Sequence, residues 1–214
     1  INVMSGQLDT FVGDRQKPVD RPAPVHEPEM AAKIHAAMMV DVDRGTAFGP
    51  LSKETLWATF PNARPCNIFG VKKHKYVPEG EPGSEKVRLI HHFSEGAPTT
   101  PGQRGPKRAK HAGPAPGSIN ALCGSPRFLS VFFTFRLLAD AIAHHGPGST
   151  MSWWDVPRAF KRNPTNARLL FLAVSQLATS DEIVYFVELA NTFGWTPAEW
   201  GWQSVLAMVL WWLE

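Results

Sequence analysis

Cys66-Asn67-Ile68-Phe69-Gly70-Val71 and Lys86-Val87-Arg88-Leu89-Ile90-His91-His92-Phe93 are the two runs on which the fold turns. Both are rich in branched and aromatic side chains. The segment between them, Pro78-Glu79-Gly80-Glu81-Pro82-Gly83, is built of turn formers. That pattern predicts an antiparallel hairpin with a long loop, 66–77 pairing with 86–94. The first run continues into Lys72-Lys73-His74-Lys75, so the hairpin carries cations. Neighbouring strand residues face opposite sides, so His91 and His92 cannot chelate one metal together.

Upstream, residues 1–28 are polar and interrupted by Pro18, Pro22, Pro24 and Pro28, which reads as an extended arm. Met30, Ile34, Ala37 and Met38 form a stripe at helical spacing, predicting a helix from Glu29 to Asp41 that closes at Asp43-Arg44-Gly45. Gly49-Pro50 reads as a turn, and Ser52 as the N-cap of a short helix reaching Thr59. Downstream, 99–117 is a Gly/Pro-rich loop whose cations Arg104, Lys107, Arg108 and Lys110 suit a nucleic-acid backbone. An amphipathic helix is expected from Arg127 to His145, ended by Gly146-Pro147-Gly148. Next come a strand at 149–154, a brief helix through Arg162, paired strands at 169–174 and 183–188, and a helix from Pro197 to Leu213. Strands and helices in this order, with no internal repeat, make an α+β fold.

Composition narrows the class. The chain has 214 residues, 43% hydrophobic and 11% aromatic, enough for a core and too apolar for disorder. Two cysteines exclude a disulfide framework and a Cys-rich zinc site. A net charge of +3 permits a polyanionic partner without requiring one. The apolar stretch Trp200–Leu213 is shorter than the ~18–20 residues that span a bilayer, so no membrane span is expected. Trp195, Trp200, Trp202, Trp211 and Trp212 crowd the C-terminal end. They suit base stacking, or the packing of an apolar helix against the core or a partner protein.

Asp155 is the most informative single residue. It ends the apolar run Met151-Ser152-Trp153-Trp154 and precedes a short helix, a position that suits an N-cap or a Mg²⁺ ligand. Lys72, Lys73 and Arg88 on the hairpin can clamp phosphate oxygens, Arg88 in bidentate fashion. Taken with Asp155 they suggest a nucleoside triphosphate site with a metal.

Four segments then stand in a telling order. They are Arg44-Gly45 with Gly49-Pro50; Phe69-Gly70-Val71-Lys72-Lys73; Arg88 through Ser94; and Ser118-Ile119-Asn120. The series resembles the fingers of retroelement reverse transcriptases, most nearly the DIRS-like elements of eukaryotes. Asp155-Val156-Pro157-Arg158-Ala159-Phe160 resembles the first palm motif of that family, and Phe193-Gly194-Trp195 the second. The resemblance covers residues 30–214. It implies a right-hand polymerase with a fingers-like region at 29–145 and a partial palm at 146–214. It further implies template-dependent DNA synthesis on an RNA or DNA template-primer, with dNTP and Mg²⁺. Asp155 would be the catalytic metal ligand. Lys72, Lys73 and Arg88 would bind triphosphate, Phe160 would gate the ribose 2′ position, and Phe193 and Gly194 would pack against nucleotide and template.

The chain also departs from the family. The third palm motif, which supplies further carboxylates, is absent up to Glu214. His92 and Ala121 stand where Asp is common, and Trp153 where Lys is frequent. One Asp cannot hold two metals in catalytic geometry. The expectation is therefore activity in an intact parent protein and none in these 214 residues alone. The alternative expectation is a catalytically inactive, retroelement-derived structural subunit of a large ribonucleoprotein or protein assembly.

Overall fold

Glu27-Pro28-Glu29 opens the first helix as its chemistry requires: a proline where no N–H is needed, and an acidic residue in the first turn. The structure, a computed structural model, describes residues 11–21, 23–73, 86–96, 117–123, 135–148, 158–195 and 198. Helix α1 spans Pro28–Asp43, and strand β1 spans Ala47–Leu51. Helix α2, Lys53–Thr59, is capped by Ser52, whose hydroxyl accepts from the Thr55 N–H at 3.2 Å. Strands β2 (Cys66–Lys73) and β3 (Lys86–His91) form the expected antiparallel hairpin, with Ile68 opposite His91 and Lys73 opposite Lys86. A single turn, α3 (Ile119–Leu122), is capped by Ser118, and α4 spans Phe135–His145. Strands β4 (Val174–Ala178) and β5 (Ile183–Glu188) complete the elements.

All five strands join one sheet in the order β1-β5-β4-β2-β3. Its pairs are antiparallel except β2 with β4, which run parallel through Cys66–Ser175 and Asn67–Gln176. The sheet thus takes strands from both sides of residue 146, and the fold is α+β. No helix among the described residues is long and apolar enough to cross a membrane.

Side chains along β5 alternate between two covered faces of the sheet, as strand geometry demands, so Val184 to Glu188 are all buried. Val184 and Phe186 pack under α1 with Ile34, Met38, Ile68 and Leu177. Tyr185 and Val187 face the other way, with Leu56 of α2, Leu51 and Val174. Gly70 on β2 sets how closely α1 approaches: a Cβ there would lie 2.6 Å from Met30 Sδ and 2.7 Å from Val87 Cγ1. A third cluster gathers Phe11, Phe93, Ile119, Phe171, Leu172 and Trp195. The N-terminal arm supplies Phe11 and is tied down further by Arg21, buried and donating to the carbonyls of Glu95 and Gly96.

Several sequence expectations shift. Gly49-Pro50 is not a turn but lies inside β1, where the register slips between Phe48 and Leu51. β1 is an edge strand, the place a sheet tolerates proline. The strand expected at 169–174 begins only at Val174, and a 3₁₀ turn occupies Ala167–Leu169. The strand proper carries Ser175 and Gln176, polar yet buried, so counting apolar residues put it too early. The brief helix ending at Arg162 is a 3₁₀ turn, Ala159–Arg162. Helix α4 runs from Phe135 and leaves Ile142 exposed; 127–134 lie outside the described residues, as do 149–157 and, apart from Ala198, the segment 197–213 where a helix is expected.

Candidate functional site

His91, Ser175 and Glu188 end up on the sheet face that α1 covers, one on each of β3, β4 and β5. Above them stands Asp41 in the last turn of α1, itself buried. From the side enters the 3₁₀ turn with Lys161, preceded by Arg158. Arg158 has φ +57°, alone among the described non-glycine residues in being left-handed.

The contacts are continuous. Lys161 Nζ donates to Glu188 Oε2 and lies 3.1 Å from Asp41 Oδ2. Arg158 Nη2 donates to Asp41 Oδ1. The Ser175 hydroxyl donates to Glu188 Oε1 at 3.3 Å and lies 2.8 Å from His91 Nδ1. That hydroxyl has one proton to give, so His91 Nδ1–H is the donor to Ser175.

Glu188 is fully buried, and burial pushes its carboxyl above the ordinary range, opposed by Lys161. A lone buried charge costs several kcal/mol, roughly, and Lys161 is what offsets it. Burial, reinforced by the Lys161 charge, pushes His91 down to about 3, so the ring is neutral. Cys66 lies 4.0 Å from the same hydroxyl, and burial pushes its thiol up to about 12, which leaves it unreactive.

On the solvent side of this network opens a cleft of about 280 Å³. Its lining includes Asp41, Arg88, His91, Arg158, Phe160, Lys161, Thr192 and Phe193. Phe160 and Phe193 meet edge to face with ring centres 5.7 Å apart, and Phe193 is 65% exposed. An exposed aromatic beside cations suits a planar anionic ligand. The Thr192 hydroxyl, at the wall, is buried and has no hydrogen-bond partner among the described residues. Gly194 follows with φ +93°, and a Cβ there would sit 3.2 Å from the His91 carbonyl. Its own carbonyl accepts from Asn120 Nδ2 at 2.8 Å, and the same amide donates to Ser94 Oγ at 2.9 Å. Asn120 therefore ties the end of the hairpin to the Phe193-Gly194 turn.

Of the residues expected at the site, Arg88, Phe160 and Phe193 share the cleft, and Gly194 lies next to it. Lys72 is exposed on β2 and lines a different hollow with Glu27, Pro28, Glu29, Met30 and Lys33. Lys73 is the last residue of β2, and its side chain lies outside the described residues. So do Asp155, Arg104, Lys107, Arg108 and Lys110. Trp195 is 1% exposed and stacks on Phe93 with ring centres 5.3 Å apart, so it packs the core and does not offer a face to bases. Of the carboxylates in this network, Asp41 is engaged by Arg158 and Lys161, and Glu188 by Lys161 and Ser175. These described residues do not fit a Mg²⁺ ion, and the expectation of one rests on Asp155 alone.

Asp41, Arg158, Lys161, Ser175 and Glu188 escaped the sequence reading. The available signal was Glu188, a charge closing the apolar run Ile183-Val184-Tyr185-Phe186-Val187. A charge in line with a buried strand implies a buried cation nearby. Searched against protein-family models and curated proteins, the chain matches none.

Proposed function

We propose that the chain is the fingers and partial palm of a reverse-transcriptase-like polymerase, and that the cleft receives the incoming nucleotide. One observation carries this reading. Arg88, Phe160 and Phe193 come from three segments that resemble separate polymerase motifs, and they line one cleft. Asn120, from a fourth such segment, bonds to Ser94 and Gly194 of two others. In this reading Arg88 holds phosphate oxygens, and the Phe160–Phe193 pair flanks sugar and base. Arg158 and Lys161, paired with Asp41 and Glu188, leave that wall close to neutral, so Arg88 supplies the positive charge. Template-dependent DNA synthesis belongs to the intact parent protein, with Asp155 as its catalytic carboxylate.

The test is binding of a fluorescent deoxynucleoside triphosphate to the 214-residue chain, followed by anisotropy. Arg88→Ala should weaken binding about tenfold, the loss of a charge-assisted contact. Phe160→Ala should narrow the preference for deoxy- over ribonucleotide. In the parent protein, Asp155→Asn should abolish primer extension while template binding persists. No nucleotide binding by the wild-type chain, together with stable capture of RNA or a protein partner, would favour the inactive structural subunit instead.

A further inference from the structure

Arg158 and Lys161 have a second exposed side. There the chain forms a hollow of about 480 Å³ lined by Arg44, Thr46, Arg158, Lys161 and Arg162, four cations and a hydroxyl with no carboxylate among the described residues of the lining. The inner pair is already compensated, Arg158 by Asp41 and Lys161 by Asp41 and Glu188. Arg44 and Arg162 are exposed and have no acidic partner among the described residues. Among the described residues two carboxylates thus answer four cations, and a surplus of two positive charges faces one hollow. Three C-terminal carbonyls of α1, which would repel an anion, are occupied. Val40 and Val42 accept from the N–H groups of Arg44 and Gly45, and Asp41 from both the N–H and the hydroxyl of Thr46. Asp43, at the same helix end, is exposed and not part of the lining.

We infer that this hollow binds a phosphate group, held between the Arg44 and Arg162 guanidiniums with Arg158 and Lys161 behind it. Guanidinium presents paired N–H donors that match phosphate oxygens. Two uncompensated guanidiniums balance one dianion. The site is separate from the nucleotide cleft and does not depend on the polymerase reading, although the two share the Arg158–Lys161 wall. The phosphate can belong to a free polyphosphate or to a nucleic-acid backbone, and the chemistry of capture is the same.

Isothermal titration calorimetry of the 214-residue chain tests this, with inorganic pyrophosphate in one arm and a single-stranded oligonucleotide lacking terminal phosphates in the other. At least one should bind, with affinity falling as salt rises. The double variant Arg44→Gln/Arg162→Gln should bind that ligand at least about tenfold more weakly. Its thermal melting should match wild type, because both side chains are exposed. Lys17→Gln/Arg168→Gln removes the same charge outside the hollow and should leave binding as it was. Binding of pyrophosphate alone would assign a free polyphosphate, and binding of the oligonucleotide alone a strand backbone. The inference fails if neither ligand binds or if the two double variants weaken binding equally. It fails also if Arg44→Gln/Arg162→Gln binds like wild type while Arg88→Gln does not, which would put the anion in the other cleft.

Discussion

His91 is neutral because burial and the nearby Lys161 charge both oppose protonation, and this makes it a source of acid sensitivity. In the unfolded chain an imidazole titrates near ~6.5. In the folded chain it is pushed down to about 3. Above the unfolded value neither state is protonated and His91 adds no pH dependence. Between the two values the unfolded chain takes up a proton that the native state refuses, so stability falls as pH falls. Urea unfolding between pH 7 and pH 4 should therefore show a smaller loss for His91→Gln than for wild type (about one proton's worth of slope). Equal slopes would mean that the ring is protonated in the fold. None of this was legible locally. His91-His92 revealed its alternation, one side chain buried and one exposed. Lys161, whose charge adds to burial in keeping His91 neutral, lies 70 positions away, and Ser175, which the ring meets, lies 84 away. Arg88, Phe160 and Phe193, which the sequence singled out through a resemblance, line one cleft, a grouping that periodicity could not suggest.

Elements with local signals were read well. Ser52 caps α2 as side-chain chemistry demands, and the hairpin follows from two strand-like runs around a turn-rich connector. Elements governed by the sheet were read less well. Gly49-Pro50 looks like a turn until β1 is known to be an edge, and Ser175-Gln176 looks like an exit from a strand until their partners are known. Gln176 Nε2 donates to Asn67 Oδ1 at 2.7 Å and to the Arg21 carbonyl at 3.2 Å, so its amide N–H groups are satisfied inside the sheet. The contact between α1 and β2 gives a direct check on packing. Gly70→Val would drive methyl groups into Met30, Ile34 and Val87, which already crowd the position. Overpacking of this kind costs about 1–3 kcal/mol, and the midpoint of denaturant unfolding should fall accordingly. An unchanged midpoint would mean that α1 does not sit on the hairpin as described.

At the scale of the whole molecule, β4 is the strand everything else depends on. It pairs with β5 on one side and β2 on the other, so without it the sheet separates into the β1–β5 pair and the β2–β3 hairpin. A chain ending at residue 173 should show no cooperative thermal transition by circular dichroism, because a two-stranded hairpin is marginal in water. A sharp transition in that fragment would show that α1, α2 and the hairpin form a unit of their own. The parallel partner of β2 also arrives late. About 100 residues separate Lys73 from Val174. At synthesis rates of ~5–20 residues per second, the inner edge of β2 waits roughly 5–20 s on the ribosome before its neighbour exists. During that interval Cys66 and Asn67 present unpaired backbone and Ile68 its apolar side chain, a template for mispairing between adjacent nascent chains. Translation speed and chaperone capture between residues 73 and 174 therefore govern the yield of correctly folded protein.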